Sequence, residues 1–351
     1  VSTLTVLILA LTIIGSAVAA VLITVAVNSM VEAHRVRLEP HLADARLAII
    51  AAFSGEELKA DVALAHLSPF SERYIVSMML ELAPSVAGTS KSVLVSLGDQ
   101  IGIVERAKAG IHAWRWSKRL YAARVLTAFG VDSEGMFHLF SDRSPELRAQ
   151  AASWCVAVPS RRGTQCLIEL LGDADGRCRF AAKDALIRNG YPATDLLLTA
   201  LDESTDGEVS DRILEVAAAT GDERFFGPAS VLCSHLSATT RALALSVLAS
   251  TGNSGATGHL VSGLDDPAEP VMIAAAAGLA RLAYWPAATA VEPLLSHPAW
   301  DVRRQAAVTL LALDAPGAIL LRSDATGVGP AAEMANQALE LQAISRQEEA
   351  A

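Results

Sequence analysis

Leu-Phe-Ser-Asp-Arg-Ser-Pro-Glu-Leu-Arg-Ala-Gln-Ala-Ala, residues 139–152, returns in altered form as Pro-Ala-Trp-Asp-Val-Arg-Arg-Gln-Ala-Ala, residues 298–307. With Arg148 as reference, steps of 31 residues reach Arg179, Ser210, Arg241, Met272 and Arg303, and one more reaches Met334. The residue before each of the first six is Leu147, Cys178, Val209, Thr240, Val271 or Val302. Three after come Ala151, Ala182, Ile213, Ala244, Ala275 and Ala306; seven after come Cys155, Leu186, Ala217, Leu248, Leu279 and Leu310. Offsets −1, +3 and +7 fall on one helical stripe with small residues at its centre, where a neighbouring helix can approach closely.

A second apolar helix fits in the rest of each period: Thr164–Leu171, Asp195–Leu201, Gly227–Leu236, Gly258–Leu264 and Ala290–Ser296, each entered through a Gly, Pro or Asn turn. A strict period of this length means that one unit cannot bury its own face and must stack on its neighbours. The expected fold is all-α, an α-solenoid of helical hairpins.

The two quoted stretches resemble the HEAT repeat, and more narrowly the short HEAT-like repeat of phycobilisome lyases. The resemblance implies a right-handed solenoid. It also implies that an Asp in the turn and an Arg six residues later hydrogen-bond along the stack. Asp142 with Arg148 and Asp173 with Arg179 keep that spacing, whereas His235 precedes Arg241 and His297 precedes Arg303. Asp266 precedes Met272, and the Ser204/Ser210 repeat has lost both partners. These residues read as a structural ladder that fixes turns.

Residues 1–27 carry no charge, and the apolar run from Leu4 to Val27 would span about 36 Å as a helix, enough to cross a bilayer core. A cleavable signal peptide would have a basic start and a shorter apolar core. The stretch is therefore expected to be a transmembrane anchor. Arg35, Arg37 and Arg46 follow it and nothing basic precedes it, so the positive-inside rule puts the repeats in the cytoplasm and the N-terminus outside a plasma or inner membrane, with a single pass. A Val at position 1 fits a GTG start or a trimmed Met, and the N-terminus is expected to be nearly complete.

Residues 28–55 are expected to continue as a juxtamembrane helix broken near Pro40. Residues 56–129 read as divergent repeats or a cap, with helices over Glu56–Leu67, Ser71–Leu82, Ser90–Ala113 and Trp116–Phe129. The last of these matches the repeat if Arg119 takes the reference slot. The array proper spans 130–345, closing on a capping helix over Pro330–Ile344, and 346–351 read as a flexible tail. Asp314–Pro330 is expected to be the most irregular connection.

The residues offer no catalytic motif: no phosphate loop, no Gly-x-Ser-x-Gly elbow, no His-Glu-x-x-His, and no His followed by Glu. Cys155, Cys166, Cys178 and Cys233 fall within the repeats without a Cys-x-x-Cys pair and read as buried free thiols rather than zinc ligands. No cofactor or metal is expected. Residues 28–124 hold 12 basic and 10 acidic side chains, while 125–351 hold 16 and 28, an acidic array unsuited to nucleic acid.

Basic residues gather at Arg106, Lys108, Arg115, Lys118, Arg119 and Arg124, interleaved with Trp114 and Trp116. They are either a solvated face with the tryptophans in the core, or a patch for lipid headgroups or an acidic partner. Trp300, in the turn before a repeat helix, is either packed on the next repeat or a binding anchor.

The expected function is a membrane-tethered cytoplasmic scaffold or accessory subunit, not an enzyme, that positions or regulates an integral membrane protein complex. Membrane-anchored bacterial HEAT-repeat proteins, which the chain resembles, imply a partner such as a polysaccharide-synthesising glycosyltransferase. The rival is a bilin lyase or isomerase of the phycobilisome type, which the repeat resemblance also permits.

Overall fold

A computed structural model of the chain describes residues 72–83 and 89–349, together with Ser29. The expected anchor over 1–27, the juxtamembrane segment apart from Ser29, and the helix over Glu56–Leu67 lie outside the described residues. Among the described residues every regular element is helical, and no helix is long and apolar enough to cross a membrane.

The chain forms two compact units: Val1–Ala109 with Ala128–Val131, and Gly110–Thr127 with Asp132–Ala351. The described part of the first contains α1 (Glu72–Leu82), α2 (Thr89–Gln100) and α3 (Ile103–Gly110). Its core includes Val76, Met79, Leu97, Ile103 and Val104, and the ring of Phe129 lies where a side chain on Gly98 would stand. The single helix expected over Ser90–Ala113 is broken into α2 and α3 because Gly102 takes a left-handed φ of 72° and its N–H closes a turn on Asp99 O.

The second unit opens with α4 (Trp116–Phe129), whose last two residues belong to the first unit, and a short α5 (Glu134–His138). The 31-residue period then becomes visible in the backbone. The first helices of successive hairpins are α6 (Pro145–Ala157), α8 (Gly176–Asn189), α10 (Gly207–Thr220), α12 (Ala238–Ser250), α14 (Glu269–Arg281) and α16 (Trp300–Ala312). Several start on a capping side chain: Asp175 accepts from the N–H of Arg177, Asp206 from Glu208 and Ser237 from Thr240. The second helices are α7 (Arg161–Leu170), α9 (Thr194–Glu203), α11 (Phe226–Leu232), α13 (Ala256–Gly263), α15 (Ala288–Val291) and α17 (Asp314–Asp324).

The first helices pack side by side, and the predicted stripe is their contact. Ala151, Ala182, Ile213, Ala244, Ala275 and Ala306 are all fully buried, as are the six residues four positions further on. Of the −1 column only Val209 is half-buried; the rest are buried. The turn out of the first helix also recurs with the period. Gly190, Gly221, Gly252, Ala283 and Asp314 all have positive φ, at 60°, 66°, 69°, 47° and 57°. Glycine takes that positive φ freely in the first three, and Ala283 and Asp314 hold it at a steric cost.

Two segments differ from the expectation. Asp314–Pro330 is not irregular, since α17 occupies most of it and crosses so close to α16 that a side chain on Gly317 would overlap the Leu310 carbonyl. Glycine is what allows this crossing. The terminal helix α18 runs from Pro330 to Glu349, past the expected end at Ile344 and into the stretch read as a tail.

Candidate interaction surface

The polar ladder links each repeat to the next. The guanidinium of Arg148 gives its Nη1 to Asp142 O and Arg143 O in its own turn, and its Nε and Nη2 to the carboxylate of Asp173 in the next turn at 2.7 and 2.8 Å. Asp173 in turn accepts the N–H of Asp175, closing its own loop. Arg119 repeats this pattern with Asp142, and Arg241 with Asp266. The three pairs are half-buried or deeper. Hydrogen bonds from Arg148 hold the Asp173 carboxyl below its ordinary range, those from Arg241 do the same for Asp266, and both guanidiniums are raised.

This geometry corrects the pairing read from the sequence. Asp173 is the partner of Arg148 rather than of Arg179, which reaches only the main-chain oxygens of Asp173 and Ala174. Asp266, read as the remnant of a decayed repeat, is the acid of a complete rung. His235 and His297 keep the turn by accepting at Nδ1 from Ser237 and Ala299 N–H, and the slots one repeat earlier, Ser210 and Met272, carry no guanidinium to be left over. Arg303 donates to His297 O and Pro298 O, and one repeat on from His297 the Asp slot is Val328.

The basic segment is a surface. Trp114 is 79% exposed and Trp116 53%, which overturns the reading that put them in the core. Arg115 lies over the Trp114 ring with its carbon 6.0 Å from the centroid. Lys118, Tyr121 and Arg124 are exposed along one face of α4. Arg119 is not part of that face: while holding Asp142 it also donates to Ala113 O and Trp114 O, so the first rung fixes the backbone that displays Trp114. Trp116 and Trp300 both sit at the first helical residue of their hairpins, and Trp300 is 52% exposed with Arg304 over its ring at 5.5 Å.

The family model for HEAT repeats matches residues 133–218 and 229–318, the stretch that carries the ladder and the buried stripe. The chain belongs to the HEAT-repeat family. No curated protein sequence matches it. Among solved structures, Kap95p, described in its binding to RanGDP, is 9% identical with a TM-score of 0.51, covering 77% of this chain and 47% of that one. Importin beta is 12% identical at a TM-score of 0.50, covering 80% and 45%. The phycocyanin lyase complex of CpcE and CpcF from Nostoc is 20% identical at a TM-score of 0.34, covering 68% and 94%. Such identities show the fold alone, and the chain spans less than half the length of Kap95p or importin beta.

The HEAT array also holds polar links that the sequence reading missed. Buried Asp222 accepts from the Thr194 hydroxyl at 2.7 Å and from Arg224, which reaches on to Asp195 and Tyr191 O. Hydrogen bonds from Arg224 lower its pKa to about 2. Thr309, fully buried, donates to Ala276 O one repeat back. The cysteines are free, and burial pushes Cys155 up to about 12 and Cys233 to about 11, so neither thiol is poised as a nucleophile. Among the described residues no cluster of His, Cys, Asp or Glu could hold a metal.

Proposed function

We propose that the chain is a membrane-tethered accessory subunit whose HEAT array positions or regulates an integral membrane protein complex from the cytoplasmic side. A HEAT solenoid is suited to binding proteins, because stacked hairpins present a long continuous surface. The observation that carries the reading is the exposed Trp114 under Arg115, flanked by exposed Lys118 and Arg124 and held in place by the first rung. A large aromatic that contributes little to its own fold and stands among cations is the kind of residue that anchors an interface. The uncharged run over residues 1–27 supplies the tether, and the arginines after it supply the orientation. With one attachment through the bilayer and one through this patch, two weak contacts reinforce each other. A polysaccharide-synthesising glycosyltransferase is the partner class that the family resemblance implies.

Purification of the full chain from native membranes in mild detergent, followed by mass spectrometry, tests the proposal. It predicts stoichiometric recovery of one integral membrane enzyme or its complex. Recovery of the chain alone, at any detergent concentration that keeps its neighbours soluble, would contradict it.

A further inference from the structure

Arg179 is a ladder arginine inside the array whose next turn offers no acid. Its Nη1 is fixed by Asp173 O and Ala174 O at 2.8 and 2.9 Å, as the other ladder arginines are fixed by their own turns. Its Nε and Nη2 edge meets no acceptor among the described residues. In Arg119, Arg148 and Arg241 that same edge holds a carboxylate through pairs of bonds between 2.7 and 3.0 Å. The place of that carboxylate is taken here by Ser204, whose hydroxyl donates instead to Asp206 O at 3.1 Å.

Arg179 lines a pocket of about 200 Å³ together with Phe180, Lys183, Arg212 and Glu215, residues of α8 and α10. Two of its three cations are already compensated: Lys183 binds Glu215 at 2.8 Å, and Arg212 binds Glu208 at 2.5 Å and Leu171 O at 2.7 Å. Among the described residues Arg179 has no counter-charge of its own. Beside it Phe180 is 68% exposed, a large ring with little to cover it.

We infer that the open edge of Arg179 takes a carboxylate from a protein partner, an Asp or Glu side chain next to an apolar residue that covers Phe180. A guanidinium fork matches a carboxylate in plane through two bonds, and three ladder arginines of the chain make that contact. Because two carbonyls already hold the fork, little side-chain freedom is lost on binding. The inference rests on the reading of the array as a protein-binding scaffold and names one of its contacts.

The test is fluorescence anisotropy of the detergent-solubilised full chain with a labelled peptide, Gly-Ala-Leu-Asp-Leu-Ala-Gly. Saturable binding is expected, weakened roughly tenfold or more when the peptide Asp becomes Asn and, with the Asp peptide, in Arg179→Gln. Ser204→Asp should weaken it equally, because it supplies the carboxylate from within the chain, and should raise the thermal midpoint as the gap closes. Absence of saturation at millimolar peptide, equal binding by wild type and both variants, equal binding of the Asn peptide, or stronger competition by inorganic phosphate than by unlabelled peptide would overturn the inference. Such a failure leaves the membrane purification standing as the separate test of the scaffold reading, because that purification does not use Arg179.

Discussion

The guanidinium of Arg241 grips the carboxylate of Asp266, 25 residues further on, through two hydrogen bonds of 2.8 and 2.7 Å. The acid belongs to the turn of the following repeat, and Ala268 N–H closes that turn on the same carboxylate. One side chain thus shapes its own loop and ties it to the previous hairpin. In a structure where each unit touches mainly its neighbours, such a tie acts at the interface that carries stability.

Removal of an arginine from a complete rung should cost more than removal from an open one. Arg148→Ala strands the Asp173 carboxylate in a half-buried site and should lower stability by about 1–3 kcal/mol. Arg179→Ala loses only bonds to main-chain oxygens and should cost clearly less. Equal losses in thermal unfolding would mean that the carboxylate bonds add nothing to the ladder.

Acid should weaken the array through Asp222, outside the ladder. Asp222 titrates in the folded chain at about 2, whereas an unfolded Asp titrates near about 3.9. Its folded value is depressed, so its contribution is fully present above about pH 4 and is lost as pH falls toward about 2. The difference in thermal midpoint between wild type and Asp222→Asn should therefore be present at pH 7 and shrink between about pH 4 and about pH 2. A difference that stayed constant over that range would remove Asp222 ionisation from the account.

The recurring left-handed turn gives a stabilising substitution. Ala283 holds φ at 47° in a position where three other repeats have glycine, so Ala283→Gly should stabilise by about 0.5–1 kcal/mol. Gly317→Ala should do the opposite, by about 1–3 kcal/mol, because its side chain would meet the fixed backbone of Leu310. Calorimetry on the two variants reads both signs. A loss of stability in Ala283→Gly would show that the turn tolerates alanine without strain.

The stacked hairpins were legible because burial imposes a period. Ala182, Ala244 and Ala306 sit at one offset because small side chains let adjacent helices approach closely, Ile213 being the larger exception in that column, and the structure buries all four completely. The rungs were only half legible. Arg and Asp stand six apart within a turn, yet the carboxylate bond crosses to the next turn at a separation of 25, so counting within one repeat pairs Asp266 with Met272 and hides Arg241. Asp222 and Arg224 form a lock without a periodic copy, and a single occurrence carries no signal in a repeat pattern. The exposure of Trp114 was undecidable for a different reason. A tryptophan beside arginines fits a buried ring with charged neighbours as well as a displayed one, and only the exposure of the Trp114 ring in the folded turn separates the two.

The role of the basic face needs a set of substitutions that spares the ladder. Arg119 is unsuitable, because reversing its charge would break its bonds to Asp142. Arg115, Lys118 and Arg124 are exposed, and exposed charges contribute little to stability. The most direct measurement compares partner recovery from native membranes by wild type and by a full-length variant carrying Trp114→Ala, Arg115→Glu, Lys118→Glu and Arg124→Glu. The account predicts at least a roughly tenfold loss of the co-purified membrane partner with a thermal midpoint unchanged within a few degrees. Undiminished recovery of the same partner by the folded variant would contradict it.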